Sequence, residues 1–308
     1  MKDSHLPILH HFEASPFSEK IRVIFGFKQI AWQSVLIPRI MPKPDLVPLT
    51  GGYRRTPVMQ IGADIFCDTQ IIQREIEARF PEPTLFPRNG GVPWMTGLWT
   101  DRIFFGSAVF LVFGSLGDKV PQDFIDDRTK LRGAPFDVKA MAAALPHHRD
   151  QFRSHAALIE AQLAHGEKWL LGDFSLADAG CYMNIWYVRS NLPQLADELL
   201  AEFPRLREWE DRVRALGHGT RTELSGQDAL TIAAKASPEV RAKEATHDLE
   251  GRGIGDRVTV SADEPVKTPI EGEIVSLSVH HIAIRRRDPK LGEVVVHFPR
   301  IGYVVTAV

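Results

Sequence analysis

The turn Ser15-Pro16-Phe17-Ser18 is the first place in the chain where side chains could do chemistry. Ser15 stands where a helix N-cap belongs, and proline takes the first helical position. The free N–H groups of a helix N-terminus stabilise an anion, and a hydroxyl that donates to sulfur favours the thiolate over the thiol. Ser15 is therefore a candidate for thiolate stabilisation. The alternative is that Ser15 is only a helix N-cap. The two roles are compatible, because the O–H can donate to sulfur while the lone pairs accept from the helix N–H groups.

Two further pairs, Thr56-Pro57 and Asp68-Thr69, could bind a small peptide-like molecule. If the bond before Pro57 is cis, the N–H and C=O of Thr56 point outward as an open strand edge that an extended ligand can join. Asp68-Thr69 stands at a helix start, where capping side chains and free N–H groups can receive a carboxylate or an amine. A simple helix cap is the alternative for this second pair.

The elements that position these residues follow from apolar periodicity and from the prolines and glycines. Residues 1–88 predict a βαβ unit, a proline-rich loop over 38–52 and a ββα unit. The predicted elements are a strand at 8–9, a helix from 16, a strand at 31–37, strands at 58–61 and 65–67, and a helix to about residue 80. His10 and His11 end the first strand, and we interpret them as structural residues rather than as bases.

The element order and the three motifs resemble the thioredoxin-like domain of the soluble glutathione transferases. The first turn stands where that family has its S/C-P-F-x catalytic turn, Thr56-Pro57 where it has its cis-proline, and Asp68-Thr69 where it has its Glu/Asp-Ser/Thr pair. The resemblance implies glutathione as co-substrate, with Ser15 as the catalytic residue. It places Thr56 at the cysteinyl backbone and Asp68-Thr69 at the γ-glutamyl end. The full predicted set of glutathione-binding residues is Phe17, Arg55, Thr56, Pro57, Asp68 and Thr69.

The sequence departs from the family pattern in two places, and two functional hypotheses remain open. Arg54-Arg55-Thr56 replaces the usual small apolar residue before the cis-proline, and Asp68 replaces the commoner glutamate. The first hypothesis is a glutathione transferase-like enzyme, in which the thiolate attacks a small hydrophobic electrophile. The second is a non-catalytic glutathione- or ligand-binding scaffold with the same fold. Serine at both 15 and 18 argues against a disulfide reductase.

Residues 89–217 predict an all-helical domain. Asn89-Gly90-Gly91 forms a linker, and long helices are expected over 94–116, 146–166 and 203–216. Ser175 and Asp178 form a capping-box pattern before a further apolar helix, as the family has in its helical domain. The resemblance implies that this domain supplies the electrophile pocket. Its candidate aromatic residues, each of which is also an ordinary core residue type, are Trp99, Phe104, Phe105 and Tyr187.

Residues 218–308 lie beyond the resemblance and predict a small, mainly antiparallel β module after a helical connector. Helices are expected over 228–236 and from Ser237 to about Asp248. The apolar period then changes to two, which predicts strands at 257–262, 273–280, 281–286, 293–298 and 303–307. The run Arg285-Arg286-Arg287 is interpreted as a solvated strand edge.

Bulk composition bounds the class of protein. The chain has 308 residues, enough for two or three domains, and a formal net charge of −2, which gives no argument for nucleic-acid binding. Cys67 and Cys181 are too far apart for a CxxC pair or a metal-ligand spacing, so we expect reduced thiols and no metal. We expect no signal peptide, no apolar run that spans a membrane and a cytoplasmic location. By analogy with the family, we expect a homodimer.

Overall fold

The computed structural model describes residues 6–87, 90–239 and 248–308, and one ten-stranded sheet runs through the described parts. Its strands are β1 (Ile8–His11), β2 (Ala31–Leu36), β3 (Val58–Ile61), β4 (Asp64–Cys67), β5 (Thr220–Glu223), β6 (Arg257–Ala262), β7 (Ile270–Leu277), β8 (His281–Asp288), β9 (Gly292–Pro299) and β10 (Tyr303–Ala307). Their order across the sheet is β10-β6-β7-β8-β9-β4-β3-β1-β2-β5.

The N-terminal part of the sheet has the βαβ and ββα order that the sequence predicts. Strand β1 pairs in parallel with β2 and antiparallel with β3, and β3 and β4 form a hairpin. Three helices belong to this part: α1 (Pro16–Phe27), α2 (Val47–Thr50) and α3 (Thr69–Arg79). Ser15 caps α1 and Asp68 caps α3 through their side-chain oxygens. The thioredoxin-like fold class is therefore confirmed, and α2 is a short helix within the loop expected over 38–52.

The helical domain is also confirmed, and its longest helix differs in detail from the prediction. The helices are α4 (Val92–Trp99), α5 (Phe105–Leu116), α6 (Gln122–Arg132), α7 (Val138–Ala143), α8 (Leu145–Gln162), α9 (Leu176–Asn191), α10 (Pro193–Leu200) and α11 (Pro204–Ala215). A π-helical turn, Thr100–Phe104, joins α4 to α5. π-helical turns are rare in proteins, and those that occur are often found at functional sites. Helix α10 was not predicted.

The stretch Val92–Lys119 passes a length and composition test for crossing a membrane, so the expectation that no apolar run is long enough was wrong. Its most apolar window has a mean hydropathy of 1.2 and is 39% buried. Helix α5 within it contacts α7, α8 and α9. Because a core helix passes the same test, we infer no membrane association from it.

The C-terminal strands extend the central sheet instead of forming a separate sheet. Strand β9 pairs in parallel with β4, and β5 pairs in parallel with β2 at the opposite edge. The predicted strands 257–262 and 303–307 match β6 and β10, and the other three match within three residues. Helix α12 (Gly226–Lys235) covers one face of the sheet. The helix predicted from Ser237 to about Asp248 and the linker residue Asn89 lie wholly or largely outside the described residues.

The central strands β1, β3 and β4 are buried on both faces of the sheet, which explains their near-continuous apolar character. Leu9 and Met59 face a core shared with α1, α3 and the helical domain. Ile8, Val58 and Ile65 face a second core, which α2, α12 and strands β6 to β9 complete. The C-terminal module, residues 218–308, therefore shares a hydrophobic core with the N-terminal domain.

A buried polar chain fixes the seam between β4 and β9. The Asp64 carboxylate accepts from Nε2 of His297 at 2.8 Å and from the backbone N–H of Glu239 at 2.6 Å. A carboxylate only accepts, so His297 carries a proton on Nε2, and its Nδ1 forms a hydrogen bond with Nε2 of His281 at 3.1 Å. The chain connects β8, β9 and β4, and it aligns the module on the N-terminal domain.

We expect His297→Phe to lower the free energy of unfolding by about 2–3 kcal/mol, because it removes a hydrogen bond to a buried carboxylate. The new ring would keep the stacking on Phe66, whose centroid lies 4.3 Å from that of His297. Chemical denaturation followed by circular dichroism measures the loss. The control is His165→Phe at an exposed position, for which we expect no measurable change. Equal stability of both variants would contradict this account of the seam.

Candidate functional site

A polar cavity of about 400 Å³ lies where the N-terminal domain, helix α4 with its π-helical turn, and the C-terminal module meet. All three parts of the chain contribute to its wall. The lining residues are Phe17, Tyr53, Arg55, Thr56, Pro57, Asp68, Thr69 and Gln70 from the first part, Leu98, Asp101 and Arg102 from the second, and Ala262, Asp263, Glu264, Ile301, Gly302 and Tyr303 from the third. The six predicted glutathione-binding residues are all among them.

Ser15 is not part of that wall. It is 3% exposed, and its Oγ accepts the backbone N–H of Ser18 at 3.2 Å, as an N-cap does. Within residues 6–87, 90–239 and 248–308, its O–H donates to no protein acceptor, so the donor is available to another group. Phe17, two residues further along, reaches the cavity.

Thr56 presents an open backbone edge to the cavity. Its peptide bond to Pro57 is cis, and β3 begins only at Val58. In the part of the chain that the structure describes, the Thr56 N–H and C=O form no backbone hydrogen bond. Its hydroxyl accepts from Nζ of Lys43 at 3.1 Å, and the same ammonium donates to the Arg54 carbonyl at 2.8 Å. An extended ligand can pair with this edge as an added strand.

Lys43 is a buried cation behind this edge. Burial lowers the pKa of its ammonium to about 8, and the guanidinium groups of Arg128 and Arg54 act in the same direction. Asp127 is the nearby carboxylate, and it pairs with Arg54 at 2.9 Å. The ammonium therefore adds positive potential behind Thr56 without a carboxylate in direct contact.

Asp68 combines a helix cap with an unusual backbone conformation. Its φ of +92° lies in the region that favours glycine, and such strain clusters at functional sites. One carboxylate oxygen accepts the backbone N–H of Gln70 at 2.9 Å, and the other accepts the hydroxyl of Tyr303 at 3.2 Å. Burial raises the pKa of the carboxyl, and both hydrogen bonds oppose that effect. Thr69 is the first residue of α3.

Two ion pairs cross the cavity wall. Arg55 pairs with Glu264 of the module, and the buried ammonium of Lys20 contacts both oxygens of Asp101 at 2.7 Å. Arg102 also lines the wall and is exposed. The cavity therefore holds groups of both signs, which suits a ligand that carries an amine as well as carboxylates.

The candidate aromatic residues divide into two groups. Phe105 packs edge-on against Phe17 at 4.8 Å between centroids, and Tyr187 lies 6.0 Å beyond it. Phe104 is fully buried and stacks with Trp99 in the core of the helical domain. Phe105 and Tyr187 are therefore the two candidates that connect Phe17, in the cavity wall, with the helical domain through ring contacts.

His10 and His11 are buried in the sheet and agree with the structural interpretation. His10 contacts the Gln60 side chain, and burial lowers its pKa to about 4. His11 contacts Ser34 and Arg22, and burial together with the Arg22 charge lowers its pKa to about 3. Neither residue lines the cavity.

Sequence reasoning missed the residues that the module adds to the site. Tyr303 and Glu264 contact Asp68 and Arg55 across more than 200 positions of the chain. A tyrosine at the start of a strand and an acidic loop carry no local signal for a binding site. The pairing of β9 with β4 and the shared core bring them to the cavity.

Comparison with known proteins identifies the family. Profiles of the glutathione S-transferase N-terminal and C-terminal domains match residues 9–84 and 142–212. The crystal structure of a GST-like protein from Pseudomonas syringae is 35% identical, with a TM-score of 0.82, over 98% of this chain and 99% of that one. No significant match was found among curated proteins.

More distant structures share the fold. A glutathione S-transferase from Methylobacterium radiotolerans, solved with glutathione sulfonate, is 20% identical, with a TM-score of 0.51, over 71% of this chain and 96% of that one. One from Rhodospirillum rubrum is 20% identical, with a TM-score of 0.53, over 68% and 88%. The profiles match only residues within 9–212, and these two structures cover about 70% of the chain, whereas the Pseudomonas structure covers 98% of it. The β module is therefore an addition to the common glutathione S-transferase fold. The chain belongs to the glutathione S-transferase superfamily.

Proposed function

We propose that the protein binds glutathione in the described cavity and stabilises its thiolate with Ser15 for attack on a small hydrophobic electrophile. The observation that carries the proposal is the convergence of Phe17, the Thr56 edge and the Asp68-Thr69 helix start on one cavity. These are the positions that the family motifs imply. Membership of the superfamily supports the same ligand.

Each part of glutathione has a counterpart in the site. The cysteinyl backbone pairs with the N–H and C=O of Thr56, beside the ring of Pro57. The γ-glutamyl end meets the Asp68 carboxylate through its ammonium group and the N-terminus of α3 at Thr69 through its carboxylate. Arg55 lies on the same wall, where it is paired with Glu264, and its remaining N–H donors are available for a ligand carboxylate.

Ser15 supplies the hydroxyl for the sulfur. Its Oγ accepts from Ser18 through a lone pair, so its O–H remains available as a donor. A donor to sulfur and the partial positive charge of the α1 N-terminus both lower the pKa of a bound thiol. Phe17, Phe105 and Tyr187 provide the apolar surface for the electrophile.

A second candidate function is glutathione binding without turnover. The low exposure of Ser15 and its absence from the cavity wall favour this alternative, because a nucleophilic sulfur needs contact with the hydroxyl. Under this alternative, Asp68, Thr69 and Thr56 bind the tripeptide and the thiol keeps its ordinary pKa.

Ultraviolet absorbance titration of bound glutathione separates the candidates. The enzyme proposal predicts binding at millimolar glutathione or below and a thiol pKa below the usual value of about 8.5. Binding with an unchanged thiol pKa supports the non-catalytic alternative. No binding at millimolar concentration overturns both.

The homodimer, the cytoplasmic location and a role in detoxification are further proposals that rest on the family resemblance. Light scattering after size-exclusion chromatography measures the mass in solution. A mass near 34.6 kDa, that of one chain, would contradict the dimer.

A further inference from the structure

We propose that the C-terminal module is an integral wall of the ligand site and that its Tyr303 is a positioning residue, which holds the Asp68 carboxylate for the ammonium group of a γ-glutamyl ligand. The inference deepens the proposed function, because it concerns the same cavity. It assigns a purpose to the part of the chain that lies outside both family profiles.

The topology of the module brings two of its loops to the cavity together. Strand β10 pairs antiparallel with β6, and Tyr303 lies opposite Ala262. The turn before β10, with Ile301 and Gly302, therefore lies beside the loop after β6, with Asp263 and Glu264. Both loops line the cavity across from α3 and the π-helical turn.

Close contacts fix the turn before β10 in place. Gly302 has a φ of +85°, and a Cβ on it would lie 3.0 Å from a guanidinium nitrogen of Arg102. The Ile301 carbonyl accepts from the Gln70 side chain at 3.3 Å. The turn thus contacts both α3 and the segment that follows α4, and the positive φ at position 302 favours glycine there.

Tyr303 directs its hydroxyl at the ligand-binding carboxylate. Its ring packs against Phe298 at 5.6 Å between centroids, and Phe298 also contacts the ring of Tyr53. The hydroxyl lies 3.2 Å from Asp68 and 3.4 Å from the Tyr53 hydroxyl. Because a carboxylate only accepts, Tyr303 donates to it, and each Asp68 oxygen keeps a lone pair for a ligand ammonium.

The module reaches a second predicted binding residue through Glu264. This carboxylate pairs with Arg55, and both side chains are about one-third exposed at the cavity rim. An exposed pair of this kind adds little stability. The pair does set the direction of the Arg55 guanidinium. Residues of the module therefore orient two of the six predicted glutathione-binding residues, Arg55 and Asp68.

Asp68 is the carboxyl group at the γ-glutamyl end, and the raised pKa moves its change of charge from the usual acidic range towards neutral pH. The groups that face it are Lys20 of α1, Asp101, Tyr53, Cys67 of β4 and Tyr303. Burial raises the pKa values of Tyr53, Cys67 and Tyr303 well above their ordinary values, so these three stay neutral. The Asp68 pKa is itself raised by burial and opposed by the Tyr303 hydrogen bond. Removal of that hydrogen bond raises it further.

The test is the pH dependence of ligand affinity in Tyr303→Phe, measured by isothermal titration calorimetry with glutathione sulfonate. This probe has no thiol that titrates between pH 5 and 8. We expect Tyr303→Phe to bind the probe more weakly than wild type at both pH values, because the carboxylate is no longer held, and the loss to be larger at pH 5, where it should reach roughly tenfold, the size expected for one hydrogen bond to a charged group. Thr306→Val removes an exposed hydroxyl from the same strand and should match wild type at both pH values.

A second variant keeps the proposal testable if Tyr303→Phe does not fold. Asp68→Asn should bind more weakly and lose the affinity change between pH 5 and 8. A wild-type pH slope in Asp68→Asn, or an equal effect of Tyr303→Phe at both pH values, would overturn the role of Tyr303 and leave the proposed function intact. Failure of the wild-type protein to bind the probe at millimolar concentration would overturn both.

Discussion

Replacement of Ser15 by alanine should lower kcat/KM for conjugation of glutathione to a hydrophobic electrophile about 100-fold, the size expected when one donor to a developing or full negative charge is removed. The affinity for glutathione should change by less than about threefold, because Thr56, Asp68 and Thr69 hold the tripeptide. The pKa of the bound thiol should rise towards about 8.5. Steady-state kinetics and ultraviolet absorbance titration measure the two effects.

Ser15 is also the N-cap of α1, so the variant needs controls for stability. Loss of the cap should cost about 1 kcal/mol of unfolding free energy. Ser15→Thr keeps both the hydroxyl and the cap and should restore most of the activity. Ser18→Ala removes the next buried hydroxyl along α1, leaves the Ser15 cap in place and should keep near wild-type kinetics.

The outcome distinguishes a chemical role of Ser15 from a structural one. A structural role predicts that kcat/KM falls only as far as stability does and that the thiol pKa stays unchanged. If Ser15→Ala retains wild-type turnover and thiol pKa, Ser15 is only a helix cap. Its burial would then mean that its hydroxyl does not reach the ligand sulfur.

The parts of the fold that were predictable from sequence are those with local signals. Ser15-Pro16, Asp68-Thr69 and the Ser175-Asp178 box each begin a helix at the predicted residue, because capping depends on neighbours within three positions. Strands β6 and β10 follow from alternation of apolar residues, and their bounds match the prediction. The six predicted binding residues line one cavity because the family motifs fix their spacing.

The parts that could not be predicted depend on long-range pairing or on subtle helix geometry. Nothing in the residues of β9 indicates that it pairs in parallel with β4, and an isolated antiparallel module satisfies the same alternation. Tyr303 is 235 positions from Asp68, so its contact with the site depends on long-range docking of the module, to which that pairing contributes. The π-helical turn at Thr100–Phe104 interrupts an apolar run that is equally consistent with one regular helix.

The largest loss of stability is expected from Asp178→Ala in the helical domain. The Asp178 carboxylate is 0% exposed, and it accepts four hydrogen bonds. Their donors are the backbone N–H groups of Leu170 and Ser175, the Ser175 hydroxyl and the indole N–H of Trp209, all within 3.0 Å. The carboxylate thus joins the loop before α9, the cap of α9 and helix α11.

Alanine at position 178 leaves several of these donors buried without an acceptor. Each orphaned donor costs about 1–3 kcal/mol, and removal of one member of a buried charged network costs about 3–5 kcal/mol in total. We expect a loss of that size in the free energy of unfolding, measured by chemical denaturation. Asp178→Asn keeps the volume and one acceptor oxygen and should lose less.

Asp173→Ala is the matched control for Asp178→Ala, because Asp173 lies in the same loop with an exposed side chain. Its unfolding free energy should stay within about 0.5 kcal/mol of wild type. The cavity that we propose as the glutathione site contains no residue of this network, so the glutathione affinity of folded Asp178→Asn should match wild type. Similar stability of Asp178→Ala and Asp173→Ala would show that the four hydrogen bonds do not join α9 to α11.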